Sequence, residues 1–209
     1  LGWAKLRSLL IISGAFGLFC KDRVVEIGGY LTSSERFKKD TVGEHMELVV
    51  RLNRHMLEKK LPFSVLYAFN ANCWTEVPES WNVLSRQRDR WQRGLIDILY
   101  FHRTMLFNPR YGRIGMFSMP YFFVFELVGP FIEIQGYIMV ILALFLGILG
   151  VNLMLFLFIS TILLGILVSI FALAIAGKEN DAFPGPYIIV MLLYALFENF
   201  GIRQAISFW

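Results

Sequence analysis

An apolar run at 9–20, broken by Gly14 and Gly17, opens the pattern along the chain. Its β-branched and aromatic residues predict a buried strand, with the glycines marking a turn or a close backbone approach. A short helix is predicted over 21–27, stopped by Gly28 and Gly29. Positions 31–40 are polar and read as a loop. Thr41 is then expected to cap a helix with Glu44 and Glu47 near its start and Leu48, Val49, Leu52 and Met56 as its apolar stripe. Pro62 ends that helix, and 63–69 predicts a second buried strand. Strand, helix and strand in that order imply part of a mixed α/β domain. Ser80 opens a second helix, expected to run to about Phe107, that mixes Arg86, Arg88, Arg90 and Arg93 with Trp81, Trp91, Leu95 and Ile98. Basic and aromatic residues together predict a helix lying at a membrane surface.

Beyond this helix the polar positions almost vanish. From 114 to 177 the only charged residues are Glu126 and Glu133. A bilayer-spanning helix needs roughly 20 apolar residues. Spans are therefore predicted near 119–149, kinked at Pro130, and 152–176, with Pro120 a second point of distortion. A polar loop at 178–181 leads to a third apolar helix at 186–200, too short to assign as a span. The chain thus divides into 1–79, 80–113 and 114–209.

Composition sharpens that division. The 209 residues are 56% hydrophobic and 17% charged, with a mean hydropathy of +0.58, which argues against a disordered tail or an ordinary soluble domain. Residues 1–113 carry 18 Lys and Arg against 11 Asp and Glu, whereas 114–209 carry 2 against 5. The basic part would be drawn to an anion such as phosphate, a nucleotide or anionic lipid. The positive-inside bias assigns 1–113 to the cytoplasm. Nucleic acid is rejected as a partner because the basic patch adjoins the apolar segment. Cys20 and Cys73 are too few for a disulfide framework and lack metal-ligand spacing. His55 and His102 also lack ligand spacing and read as surface or interfacial residues. The chain begins without Met and without a signal-peptide pattern, so it reads as a fragment or one piece of a split protein.

The sharpest chemical pattern is Gln87-Arg88-Asp89-Arg90-Trp91, a Q-x-x-R-W. On a helix Gln87, Arg90 and Trp91 project from one face. An amide, a guanidinium fork and an aromatic plate suit a sugar–diphosphate, with Arg binding phosphate bidentately and Trp stacking on a pyranose ring. Taken alone, the five residues equally describe an amphipathic anchor with an Asp89–Arg93 ion pair. In context, the chain resembles the membrane-integrated family 2 glycosyltransferases: cellulose, chitin, hyaluronan and poly-N-acetylglucosamine synthases. Their Q-x-x-R-W helix directly precedes the membrane helices and follows an E-D motif some forty residues upstream. Gly43-Glu44-His45 stands at that upstream place, and Ser13-Gly14-Ala15 at the place of the small-residue acceptor motif.

The resemblance implies a partial GT-A-like domain, an interfacial helix and a transmembrane region. It implies that Trp91 stacks on the acceptor sugar, that Ser13, Gly14 and Ala15 line the acceptor site, and that Gln87 and Arg90 hold the nucleotide diphosphate. It further implies a UDP-sugar donor, a growing β-linked polysaccharide as acceptor, inversion at the anomeric carbon, export through the chain's own helices, and residence in the plasma (inner) membrane. Mg²⁺ or Mn²⁺ would offset the leaving diphosphate, with its D-x-D ligands expected in a missing N-terminal half or a partner chain. One position departs from the family: His45 stands where the general base is Asp. A neutral imidazole can accept a proton, but it brings no negative charge to the reaction, and losing a general base costs on the order of 10²–10⁴ in rate. The expectation is impaired catalysis first and a working His45 base second, with Glu44 orienting the acceptor or the imidazole. A non-catalytic membrane subunit and a transferase of single sugars to lipid remain the alternatives. Glu126 and Glu133 either line a polysaccharide path or sit at headgroup level.

Overall fold

The computed structural model describes residues 2–12, 16–31, 41–68, 71, 73–179 and, further on, 189–191, 193–194 and 197. These residues form two units, 1–129 and 130–209.

The first unit is helical. A short α1 (Gly2–Lys5) precedes α2 (Lys21–Glu26). As expected, α2 stops at two glycines: Gly28 and Gly29 adopt φ of 90° and 76°, and their N–H groups donate to the carbonyls of Val25 and Val24. That double turn is open to glycine at no steric cost. Next comes α3 (Glu44–Glu58), whose N-cap is Gly43 and not Thr41. Thr41 lies two residues outside the helix, and its hydroxyl accepts from the Gly43 N–H. The stripe of α3 is buried through Met46, Leu48, Val49, Val50 and Met56. α4 (Trp81–Phe101) begins as predicted at Ser80, whose side chain accepts from the Val83 N–H. It ends before the expected Phe107, because the chain tightens into a 3₁₀ turn at Arg103–Met105.

Among the described residues there is no strand, so the predicted α/β layer is not present in them. The apolar segments 9–12, 16–20 and 63–68 carry no regular secondary structure. A ladder needs a neighbouring strand, whereas here side chains take up backbone groups: the Leu9 carbonyl accepts from Asn53 Nδ2 of α3, and the Ser8 carbonyl from Ser118 Oγ at 2.6 Å.

The core of this unit joins Leu10, Met46 and Val50 to Leu95, Ile98 and Leu99 of α4, and to Met105, Tyr111, Ile114, Met119 and Phe122. Fully buried side chains such as Ile98 and Leu48 each contribute about 1.5–3 kcal/mol relative to exposure.

Helical structure is continuous from Ile114 to Phe145. It passes through wide π turns at Ile114–Ser118 and Phe122–Val128, separated by the single turn of α5 (Met119–Tyr121) and followed by α6 (Gly129–Phe145). Each π stretch lies just before a proline, Pro120 or Pro130. Proline lacks an N–H and crowds the carbonyl four residues back, and widening the turn relieves that clash. The predicted distortions are therefore real, and the apolar helix starts earlier than position 119.

The second unit holds the rest of α6 and α7 (Val151–Glu179). Ile114–Phe145 and Val151–Ile175, 32 and 25 residues, are long and apolar enough to cross a membrane, and the most apolar stretch of each has none of its residues buried in the protein. That exposure separates them from the core helices of a soluble fold. The apolar helix expected at 186–200 lies mostly outside the described residues, although 189–191, 193–194 and 197 are helical.

Candidate functional site

The site is built where the start of α3 meets the middle of α4. A Cβ added to Gly94 would lie 2.8 Å from both the Cα and the N of Gly43, and one added to Gly43 would lie 3.0 Å from the Gly94 Cα. Two backbones approach here as only glycines permit. Thr41 fastens the same junction, its hydroxyl donating to Asp97 Oδ2 on α4 at 3.0 Å. Glu44 and His45 thus begin a helix whose first residue boundary is packed on α4, and both are exposed.

On α4 the buried residues are Gly94, Leu95, Ile98 and Leu99. Stepping back by helical turns, the same face continues to Trp91 and Arg90, and then to Gln87. These positions lie uncovered: Gln87 and Arg90 are exposed, and Trp91 keeps 39% of its surface open. The Arg88 guanidinium lies over the Trp91 indole, 5.9 Å from its centroid. Asp89 and Arg93 form the expected i,i+4 pair at 2.6 Å, exposed to solvent. A cavity of about 340 Å³ opens at the junction itself, lined by Thr41, Val42, Arg93, Ile96 and Asp97. It sits a turn beyond the Q-x-x-R-W residues, which do not line it.

His45 faces Tyr30. Their rings meet edge to face with centroids 5.7 Å apart, and the Tyr30 hydroxyl lies 3.4 Å from His45 Nδ1. This partner was not evident in the sequence. Nor was the support beneath α3, where Glu47, 1% exposed, accepts from Arg51 at 2.8 Å. Arg51 also donates to the carbonyls of Ile27 and Gly29, the turn that closes α2. His102 places Nε2 3.4 Å from Glu47 Oε1 and is 4% exposed. That corrects the surface reading of His102: a buried carboxylate needs polar neighbours, and the end of α4 supplies one. His55 is half-buried, 3.0 Å from Glu26 Oε1. Lys59, Arg23 and His55 together hold the Glu26 carboxyl down from 4.5 to about 2. At the far end of α3, burial pushes the Glu58 carboxyl up, but hydrogen bonds from Arg54 and Tyr111 outweigh it and leave the group below its ordinary value.

Ser13, Gly14 and Ala15 lie outside the described residues. Of the intramembrane carboxylates, Glu133 accepts from the Tyr137 hydroxyl one turn on at 2.7 Å, and the Glu126 carbonyl accepts from Gln92 of α4 at 3.2 Å. Cys20 and Cys73 are both exposed, and no disulfide joins them. Among the described residues no three His, Cys, Asp or Glu side chains gather into a metal site.

A family model described as chitin synthase matches residues 18–209. No curated protein and no solved structure matches the chain. The match takes in α2, α3, the α4 motif and both long apolar helices. The chain belongs to the chitin synthase family, within the group of family 2 glycosyltransferases that includes cellulose- and hyaluronan-synthase-like enzymes.

Proposed function

We propose that this chain forms part of a processive polysaccharide synthase that transfers sugar from a UDP-sugar to a growing β-linked chain, with catalysis weakened at His45. The family description supports N-acetylglucosamine as the sugar in this reading. The observation that carries the reading is the Gly43–Gly94 contact, because it fixes the Glu44–His45 turn to the helix that bears Gln87, Arg90 and Trp91. In this reading Arg90 and Gln87 hold the diphosphate, and the open face of Trp91 stacks on the acceptor sugar. Ser13, Gly14 and Ala15 line the acceptor site. The acceptor hydroxyl attacks the anomeric carbon, the bond to the diphosphate oxygen breaks, and the hydroxyl proton passes to His45. For Nε2 to accept it, the neutral ring must carry its own proton on Nδ1, and that N–H then donates to the Tyr30 oxygen. Tyr30 is thus a positioning residue for the base, and Glu44 orients the acceptor. Mg²⁺ or Mn²⁺ would draw its ligands from outside the described residues and would offset the charge of the leaving diphosphate. The reaction takes place at the cytoplasmic face of the plasma membrane, and the product leaves through the apolar helices.

A second reading, a membrane subunit without activity of its own, is favoured by the same His45. Both are tested by product formation from UDP-N-acetylglucosamine in membranes carrying the protein. His45→Asp is expected to raise turnover by about 10²-fold or more, and Tyr30→Phe to lower the parent's residual rate and leave that of His45→Asp unchanged. A parent as fast as His45→Asp overturns the weakened-base reading. Silence from both variants supports the inactive subunit.

A further inference from the structure

A second cavity, of about 490 Å³, lies away from the motif and holds two arginines, Arg7 and Arg113. They are brought together from the two ends of the first unit, for Arg113 donates through Nη1 to the Leu6 carbonyl at 3.2 Å. Among the described residues neither has a carboxylate partner. No described acid lines the cavity, and the nearby Glu58 is taken by Arg54 and Tyr111. Arg7 holds a left-handed backbone, φ 52°, where glycine would sit without strain. The lining also includes Ser64 and the apolar side chains of Phe63, Val65 and Ile114. Its volume falls within the roughly 300–1,000 Å³ typical of small-molecule sites.

Position decides what such a site would take. Arg113 is the last cation before an apolar run in which no Lys or Arg recurs until Lys178. A guanidinium at the mouth of a membrane-spanning helix lies at headgroup depth. We propose that the Arg7–Arg113 cavity binds a phosphate anion, carried by an anionic phospholipid whose headgroup sits between the guanidiniums and whose glycerol region follows the apolar side chains. The inference rests on Ile114–Phe145 crossing a bilayer and not on sugar transfer, so it can fail or stand apart from the synthase reading.

The test uses the purified chain in uncharged detergent and reads lipid binding, not turnover. Dioleoylphosphatidylglycerol is titrated beside dioleoylphosphatidylcholine, with inorganic phosphate as competitor. The expected result is saturable binding of the anionic lipid, weakened about fivefold by Arg7→Ala and about as much again by adding Arg113→Ala, while Lys21→Ala on exposed α2 changes nothing. Arg7→Ala alone suffices if the double variant fails to fold, since both residues carry a Cβ and the backbone strain is unaltered. Displacement of the lipid by millimolar phosphate overturns the lipid source and leaves a free-anion site. Equal binding of the two lipids, or anionic-lipid affinity unchanged in Arg7→Ala, overturns the proposal altogether.

Discussion

The two units solve opposite problems with the same element. In the first, α3 and α4 bury one face and leave the other wet, and their contact depends on fitted pairs such as Gly43 with Gly94 and Glu47 with His102. In the second, α7 is apolar on every side, with large side chains such as Phe156, Leu164 and Phe171 more than half exposed. A helix hydrophobic all round must be covered by something, and the length and apolar composition of α7 suit lipid as that cover. Hydrophobicity therefore means packing in one unit and solvent choice in the other. The proposed functional face belongs to the first kind: it is the part of the packed stripe of α4 left uncovered.

Paired substitutions break this comparison if it is wrong. The largest effect is expected from Glu47→Ala, which removes the fully buried carboxylate that accepts from Arg51 and adjoins His102 and costs about 3–5 kcal/mol. Glu133→Ala, in α6, removes a partly exposed carboxylate that accepts from Tyr137 one turn on, and is expected to cost less than Glu47→Ala in thermal unfolding of the protein in detergent. Next come two exposed leucines. Leu164→Asp on α7 should oppose membrane insertion by about 2.5–3.5 kcal/mol, seen as loss of the alkali-resistant membrane fraction. Leu66→Asp, 80% exposed in the first unit, should stay within about 0.5 kcal/mol of the parent. Equal behaviour of the two leucines would remove the distinction between the units.

A finer pair uses glycine. Gly94→Ala forces a Cβ against the Gly43 backbone and is expected to cost about 1–3 kcal/mol together with most of the transfer activity. Gly136→Ala meets nothing within 4 Å and should be neutral or slightly stabilising. The smallest effect is at Glu26, whose carboxyl is held at about 2 against 4.5 for the unperturbed group. A depressed folded value means stability that is full above pH 4.5 and is lost as pH falls toward 2. Glu26→Gln should flatten the acid unfolding curve in that window only, and salt should do the same to the parent because the cluster is exposed.

What was legible in the sequence was local. The Ser80 cap, the glycine stop after α2, the stripe of α3 and the two apolar helices all follow from signals within a few turns of the chain. The prolines announced a distortion, and the structure expresses it as π turns. The two predicted strands form no ladder among the described residues, because β-branched runs report only that a segment wants burial; whether it joins a ladder depends on distant partners, and here Asn53 and Ser118 take the carbonyls of Leu9 and Ser8. The candidate site shows the same limit. Gln87, Arg90 and Trp91 are one helix face by spacing alone. That Gly94 meets Gly43, that Tyr30 faces His45 and that His102 closes on Glu47 involve separations of 15 to 55 residues, for which no local pattern exists.

The central claim is that the uncovered stripe of α4 is a diphosphate- and sugar-binding face. Its most direct test is equilibrium binding of UDP to membranes carrying the protein, comparing Arg90→Ala with Arg86→Ala, one turn away. Loss of a charge-assisted contact predicts about 10- to 100-fold weaker binding for Arg90→Ala, with Arg86→Ala close to the parent. Equal affinities in the two variants would contradict the claim and leave α4 as a membrane anchor.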